Sequence, residues 1–583
     1  MITVIRVEYL LLLEARNFIY LLIMQSYLKK SGHALSILSF ILWIGFICQA
    51  YAGTPAAVVS AHRLATAAGY EILDKGGNAF DAAVAVSAAL AVVEPYASGL
   101  GGGGFWLLHE ANVDRNIMID GREIAPLEAS KTMYLDDNNQ PVPGKSLNGP
   151  LAAGIPGTPA ALAYISQRYG RLDLAQSLAP AIRLAREGFR VDHRFAQTLE
   201  FHKKKLAKYT DTAKIFLPGG KPPEPGQIFR QSQLAATLSA IARSGSKGFY
   251  EGSVAYELIR SVRNSGGIWH EQDLARYRVI ERKPMQFRYK NALITSAPLP
   301  SAGGLTLVQA LNTLKWLNFE ESNVFERVHL VVEALRLSYK NRAELLGDSD
   351  FVQVPVELLT SKAYAQQQAA LINLKRAGVS MPSQPVKNEG KETTHFSILD
   401  KDGNRVAATM SINTFFGSGF VAGDTGILLN NEMDDFAMGT DIPNVFGLYG
   451  SQANAIAPGK RPLSSMSPTF VENDENILVF GTPGGSRIIS MVLLVILDFV
   501  NNNQTDPQKL VAGPRFHHQY LPDFIQIEPE TFNSDWVEAL QYKGHEVRAM
   551  QRKWGNMQMI LIDKRNRQSL VASDPRGILD IRY

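Results

Sequence analysis

Thr393-Thr394-His395-Phe396-Ser397-Ile398-Leu399-Asp400-Lys401-Asp402-Gly403-Asn404, continued by Arg405 to Asn413, reads as a β-hairpin. Residues 393–399 alternate and are rich in β-branched and aromatic types, which is a strand pattern, and Asp400-Lys401-Asp402-Gly403 is a turn signal. Two registers are open. A two-residue Asp-Gly loop pairs Thr393 with Ile412. A three-residue loop, with Gly403 in the left-handed region, pairs Asp400 with Asn404 and Thr393 with Ser411. Side chains alternate along a strand, so only the second register gathers Thr393, Ser411 and Asn413 into one polar cluster. That register is the expectation. A buried hairpin explains the pattern without chemistry. The functional alternative makes Thr393 a new N-terminus after self-cleavage, with its hydroxyl as nucleophile and its own amine as base.

Working outward, a segment rich in Pro, Gly, Ser and Lys (about 377–392) ends directly at Thr393, where a chain can be cut and its ends separated. Residues 59–94 read as two helices split by Gly76-Gly77, the second almost wholly apolar. Gly99 to Gly104 form a glycine turn opening onto a strand, with no Gly-Lys-Ser/Thr, so it is not a phosphate loop. Gly121-Arg122-Glu123 falls in a loop. Residues 155–275 read as mostly helical and 327–347 as one long amphipathic helix. After 393, strands and turns dominate, with a helix near 488–499.

With 46% hydrophobic and 20% charged residues among 583, the chain has the composition of a globular protein with a large core. Residues 1–52 carry four basic and two acidic side chains, so the net charge of +4 falls to +2 without them. That is no nucleic-acid footprint, and Lys203-Lys204-Lys205 reads as a solvated helix face. Lys29 and Lys30 precede an apolar run to Cys48, and Ala50-Tyr51-Ala52 fits a small-x-small cleavage site, so residues 1–52 read as an export signal whose start is Met24 or Met1. An uncleaved anchor is the alternative. The only cysteine, Cys48, lies within that segment, which leaves the mature chain without thiol or disulfide.

Four further clusters offer chemistry. Asn430-Asn431-Glu432-Met433-Asp434-Asp435-Phe436 supplies carboxylates that suit an ammonium group. Arg461-Pro462-Leu463-Ser464-Ser465-Met466-Ser467-Pro468 places hydroxyls between prolines. Gly481-Thr482-Pro483-Gly484-Gly485-Ser486 presents backbone N–H groups that suit an oxyanion. Arg122 suits a carboxylate. Taken singly, each also reads as an ordinary loop. His395 falls on the same side as Thr393 and reads as a packed residue, His517-His518 lack partners at metal-ligand spacing, and no metal or cofactor is expected.

Together these motifs resemble the γ-glutamyltransferase (γ-glutamyl transpeptidase) family of N-terminal-nucleophile hydrolases. The resemblance runs from about Ala57 to the C-terminus. It includes Gly76-Gly77-Asn78-Ala79, Leu100 to Phe105, Arg122-Glu123-Ile124-Ala125-Pro126, Thr393-Thr394-His395 and the three clusters after 430. It implies an α+β, four-layer αββα fold and autocleavage between Glu392 and Thr393. Residues 53–392 would be the large subunit and 393–583 the small one, a heterodimer forming one catalytic unit. The resemblance also implies roles: Thr393 as nucleophile, Gly484 and Gly485 as oxyanion hole, and Ser411 as the group that positions the nucleophile. Arg122, Ser464 and Ser465 would grip a substrate carboxylate, and Asn413, Glu432 and Asp435 its ammonium. The implied substrates are glutathione and related γ-glutamyl amides, with water, amino acids or dipeptides as acceptors, in a periplasmic or secreted protein. Two positions depart from the family: Ser411 stands where threonine is familiar, and Phe446, in a lid-like stretch from Pro443 to Leu448, stands where tyrosine is. The competing readings are a glutaryl-type (cephalosporin) acylase of the same superfamily and an unprocessed, inert homologue.

Overall fold

In the computed structural model, residues 55–380, 393–439 and 441–577 are described. The export signal with its Ala52 boundary, and the linker up to Glu392, lie outside them. Twelve strands form two stacked antiparallel sheets. In chain order they are β1 (Ala57–Ser60), β2 (Gly103–Glu110), β3 (Arg115–Gly121), β4 (Ile280–Arg282), β5 (Met285–Tyr289), β6 (Ala292–Ser296), β7 (Thr394–Leu399), β8 (Arg405–Ser411), β9 (Thr469–Glu472), β10 (Asn476–Gly481), β11 (Gln558–Asp563) and β12 (Gln568–Ser573). The first sheet runs β1-β7-β8-β2-β3-β4 and the second β12-β11-β10-β9-β6-β5.

Alternation assigns each face of the first sheet. In β2, Trp106 and Leu108 join an outer core with α1 (Arg63–Asp74), α2 (Ala79–Val93) and α3 (Leu174–Glu187). Phe105 and Leu107 point the other way, into the layer between the sheets. That second core continues through the second sheet to α4 (Gly303–Leu314), α5 (Val324–Leu345) and α6 (Ile488–Asn501). The result is helices, sheet, sheet, helices: the four-layer αββα arrangement. Every residue of α2 is buried, as its apolar sequence requires.

The hairpin adopts the three-residue loop. Leu399 pairs with Arg405 and Thr394 with Met410, which sets Thr393 opposite Ser411. Gly403 has φ +89°, and the Asp400 amide donates to Asn404 O at 3.0 Å. Asp400 does more than turn the chain. Its Oδ1 accepts from the amides of Asp402 and Asn404, and its Oδ2 accepts from the Ala79 amide at 2.9 Å. The hairpin tip thereby caps α2, an interaction type worth ~1 kcal/mol. Beside the hairpin, β2 begins with glycines because there is no room for side chains: a Cβ on Gly102 would lie 2.1 Å from Ser411 O.

Three expectations need correction. β1 was not anticipated, since it is short and runs straight into α1. The helix expected to be amphipathic over 327–347 spans Val324–Leu345 and is buried on nearly every side; one of its buried charge pairs is internal, Glu333 with Arg336. Lys205 is not part of a solvated face. Its ammonium turns inward to Phe415 O at 3.1 Å and to Gly417 O, bracing the loop that follows β8. Two helices after 500, Pro507–Ala512 and Ser534–Tyr542, are also additions to the strand-rich reading.

Candidate active site

Thr393 lies at the head of β7, 7% exposed, and its Oγ1 donates to Ser411 Oγ at 3.2 Å. Ser411 Oγ also accepts from the Asn413 amide at 2.8 Å. Asn413 stands at φ +74°, just past β8, and its side-chain amide donates to Asn431 O at 2.9 Å. Asn431 returns the contact, since its Oδ1 accepts from the Thr414 amide at 3.1 Å. This cross-brace joins the hairpin to the acidic turn Glu432–Asp435.

Arg122 follows β3 and is 1% exposed. Its guanidinium touches three carboxylates: Asp435 at 2.6 Å, Glu432 at 3.0 Å and Glu123 at 3.4 Å. Its Nε donates to Pro462 O at 3.2 Å. Burial alone would lower the guanidinium pKa, but Glu432, Glu123 and Asp435 more than offset it and raise it. Burial pushes Glu123 up to about 7 and Glu432 well above the usual carboxylate range, against the pull of Arg122. One guanidinium is shared among three carboxylates, whereas each carboxylate bears its own desolvation, so the two glutamates are raised. Glu123 Oε1 and Glu432 Oε1 are buried without partners, consistent with a proton held in the cluster.

A cleft of about 300 Å³ collects these parts, lined by Arg122, Thr393, Ser411, Asn413, Glu432, Asp435, Phe446, Ser464, Ser465 and Gly485 among others. Gly484 (φ +144°) and Gly485 (φ +56°) occupy backbone conformations that suit glycine. Gly484 precedes the short helical turn Gly485–Arg487 at one end of the cleft but does not itself line it. Phe446 covers Gly485: a Cβ there would meet its ring at 2.6 Å. The segment around Phe446 is tied down at three points. Asn444 Nδ2 donates to Asp435 Oδ1 at 3.0 Å, the Val445 amide to Asp434 Oδ2 at 2.8 Å, and Gln519 Nε2 to Phe446 O at 3.0 Å.

Sequence reasoning missed several contributors. Asn431, Asn444 and Asp434 act through the contacts just described; the polar run 430–436 was the available signal for the first and last, and Asn444 falls in the stretch from Pro443 to Leu448. Gln519 and Arg342, which donates to Ser465 Oγ at 3.3 Å, gave none, because they come from distant segments. His395 is buried and bonded to Thr409 Oγ1, and burial lowers it to about 3. One grouping of metal-ligand type exists among the described residues: His329, Glu333 and His545. Its members are engaged with one another or with neighbouring protein groups. His329 Nε2 donates to Asn373 O, leaving Nδ1 to accept from His545, and Glu333 pairs with Arg336. None of the three lines the cleft.

Residues 65–581 match the profile of the family described as Gamma-glutamyltranspeptidase. The chain belongs to that family. It is 42% identical over 531 residues to a glutathione hydrolase proenzyme of Escherichia coli, covering 90% of this chain and 91% of the relative. Among solved structures, a cephalosporin acylase from Bacillus halodurans superposes with a TM-score of 0.79 at 28% identity, over 90% of this chain and 95% of that one. A gamma-glutamyltranspeptidase from Helicobacter pylori is 40% identical with a TM-score of 0.53, over 55% of this chain and 92% of that one. The family is one of enzymes, and its fold is the one described above. Among the described residues, no helix is long and apolar enough to cross a membrane.

Proposed function

We propose that this chain is a self-cleaving γ-glutamyl transferase and hydrolase that acts on glutathione and related γ-glutamyl amides. The observation that carries this reading is the cleft itself: the Thr393 hydroxyl shares it with a buried guanidinium, two acidic side chains and a glycine amide. A γ-glutamyl group carries an α-carboxylate and an α-ammonium beside its reactive carbonyl, and the cleft offers the complement of each.

In the precursor, Thr393 Oγ1 attacks the Glu392 carbonyl. The Glu392–Thr393 C–N bond breaks, an ester forms, and the Thr393 nitrogen becomes a free amine. Water opens the ester, leaving a large subunit (53–392) and a small subunit (393–583) as a heterodimer. In the mature enzyme, Thr393 Oγ1 attacks the γ-carbonyl while its own amine takes the hydroxyl proton. Ser411 orients the hydroxyl, as their 3.2 Å contact supports. The amides of Gly484 and Gly485 donate to the tetrahedral oxyanion. Among the described residues neither amide donates to a protein acceptor, which supports that role. The C–N bond then breaks, and the Thr393 ammonium returns its proton to the leaving amine. The γ-glutamyl ester passes to water, an amino acid or a dipeptide.

Arg122, with Ser464 and Ser465, binds the α-carboxylate. Asp435, Glu432 and Asn413 bind the α-ammonium. The contact of Arg122 with Asp435 and Glu432 puts the two grips side by side, as two charges on one α-carbon require. Residues 1–52 act as an export signal cleaved after Ala52, which places the enzyme in the periplasm or outside the cell.

Release of anilide from γ-glutamyl- and glutaryl-anilides, with and without glycylglycine, tests the reading, since the substrates differ only in the α-amino group. A strong γ-glutamyl preference, with turnover raised by glycylglycine, is expected. Equal rates or a glutaryl preference would replace it with an acylase. No release from either, with the chain still intact, would leave an inert homologue.

A further inference from the structure

Arg342 is a buried cation that the chemistry above leaves without a task. It sits on α5, 5% exposed, and among the described residues no carboxylate lies within ion-pair distance of it. Its Nε has no hydrogen-bond partner. Burying a guanidinium without a carboxylate is costly, so one that persists usually has work to do. Burial and the neighbouring Arg122 lower its pKa while Tyr339 and Asp435 draw it back; a guanidinium keeps its charge in a protein.

Among the described residues, its one directed side-chain contact is Nη2 to Ser465 Oγ at 3.3 Å. A guanidinium can only donate, so Ser465 Oγ must accept. A serine hydroxyl whose oxygen is already engaged as acceptor has its hydrogen left for another partner. Ser464 is arranged alike, its Oγ accepting from the Met466 amide at 3.1 Å. Among the described residues neither hydroxyl donates to a protein acceptor, and both line the cleft. Two hydroxyls with oxygens held from behind are therefore a pair of O–H donors facing the cleft beside Arg122. That pattern suits an anion and is wasted on an ammonium.

We propose that Arg342 is a positioning residue for specificity: by donating to Ser465 Oγ it fixes that hydroxyl as a hydrogen-bond donor to the substrate α-carboxylate, which it never touches itself. The inference rests on the γ-glutamyl reading of the cleft, and specifically on Ser465 as part of the carboxylate grip.

A mutant cycle on the purified, self-cleaved full chain tests it, using γ-glutamyl anilide as substrate. Arg342→Gln should raise KM about tenfold, the cost of weakening one charge-assisted contact. The value of kcat should stay within about threefold, because uniform binding is lost rather than transition-state binding. Arg342→Lys, which keeps the cation but loses the planar fork, should recover part of the KM. The double variant Arg342→Gln/Ser465→Ala should match Ser465→Ala alone within about twofold, since the two residues act as one unit. Multiplicative effects in the double variant, an unchanged KM in Arg342→Gln, or a fall in kcat alone would each overturn the proposal. An unchanged KM in Ser465→Ala would instead remove Ser465 from the carboxylate grip, and the proposal with it. If Arg342→Gln fails to fold, the same cycle built on Arg342→Lys reads the same coupling.

Discussion

Thr393 and Ser411 are held by strand register, whereas Arg122, Glu432 and Asp435 are held by one another and Ser465 by Arg342. The first pair sits on adjacent strands inside a six-stranded sheet, backed by two cores. The second group comes from loops and one short helical turn, fixed through ion pairs and side-chain hydrogen bonds. The nucleophile wall is stiff because shifting it means shifting a ladder. The recognition wall is tunable because one side chain can change there without moving a backbone. In the proposed function, reaction type and substrate preference are thus built on separate parts of one cleft.

The hardest test of this division is removal of the nucleophile. Thr393→Ala should leave a single uncut polypeptide on a denaturing gel and lower anilide release by at least ~10⁴-fold, the scale seen when a covalent nucleophile is deleted. The fold should survive, since Thr393 adds little to either core. An uncut variant with substantial turnover would place the nucleophile elsewhere.

On the recognition wall the expected effect is smaller and selective. Asp435→Asn removes one charge beside Arg122 and keeps the shape. We expect kcat/KM for γ-glutamyl anilide to fall roughly 10²-fold, as when a site built to pair a charged group loses its partner. Glutaryl anilide, which lacks the ammonium, should be affected far less. An equal loss on both substrates would show that Asp435 supports the wall rather than reads the substrate. Arg122 would then be the group whose pairing matters.

The two walls were unequally legible in the sequence. On the nucleophile wall turn chemistry left two registers open, and the gathering of Thr393, Ser411 and Asn413 into one polar cluster chose the three-residue loop that the structure adopts. Residues 393–411 therefore carried their own geometry. Arg122, Glu432, Asp435 and the two serines were visible as residue types suited to a zwitterion. Their meeting in one cleft came from the family resemblance, because nothing local says that positions 122 and 435 touch. Gln519 and Arg342 were illegible for a plainer reason: a polar residue inside a long apolar helix or a distant loop shows its partner only once the chain is folded. The Asp400 cap on α2 belongs to the same class, a turn residue whose second task lies more than 300 positions away.

Asp434 probes how firmly the recognition wall is fixed. Burial pushes its carboxyl up to about 7, against hydrogen bonds from Ser146 and the Val445 amide. A carboxyl raised in the folded state binds its proton more tightly there than when unfolded. Its contribution to stability is therefore complete below pH 4 and is lost as pH rises towards 7. Asp434→Asn can keep both contacts without titrating. The fall in melting temperature between pH 5 and pH 8 should be smaller in this variant, by an amount reflecting a few kcal/mol at most. Identical pH profiles would mean that this carboxyl is not strained by its burial.

The smallest effect is expected at Phe446, where the two walls meet. Its ring lies over Gly485, and its backbone is held by Asn444 and Gln519 rather than by the ring. Phe446→Tyr adds one hydroxyl to an otherwise unchanged lid. If the lid works by excluding water, the ring already supplies that function. The ratio of transfer to hydrolysis with glycylglycine should then change by less than about threefold, a shift below 1 kcal/mol. A large gain in transfer would show instead that closure depends on a phenol hydrogen bond across the cleft. The lid would then belong to the recognition wall, where single polar groups decide the outcome, rather than to the stiff frame around Thr393.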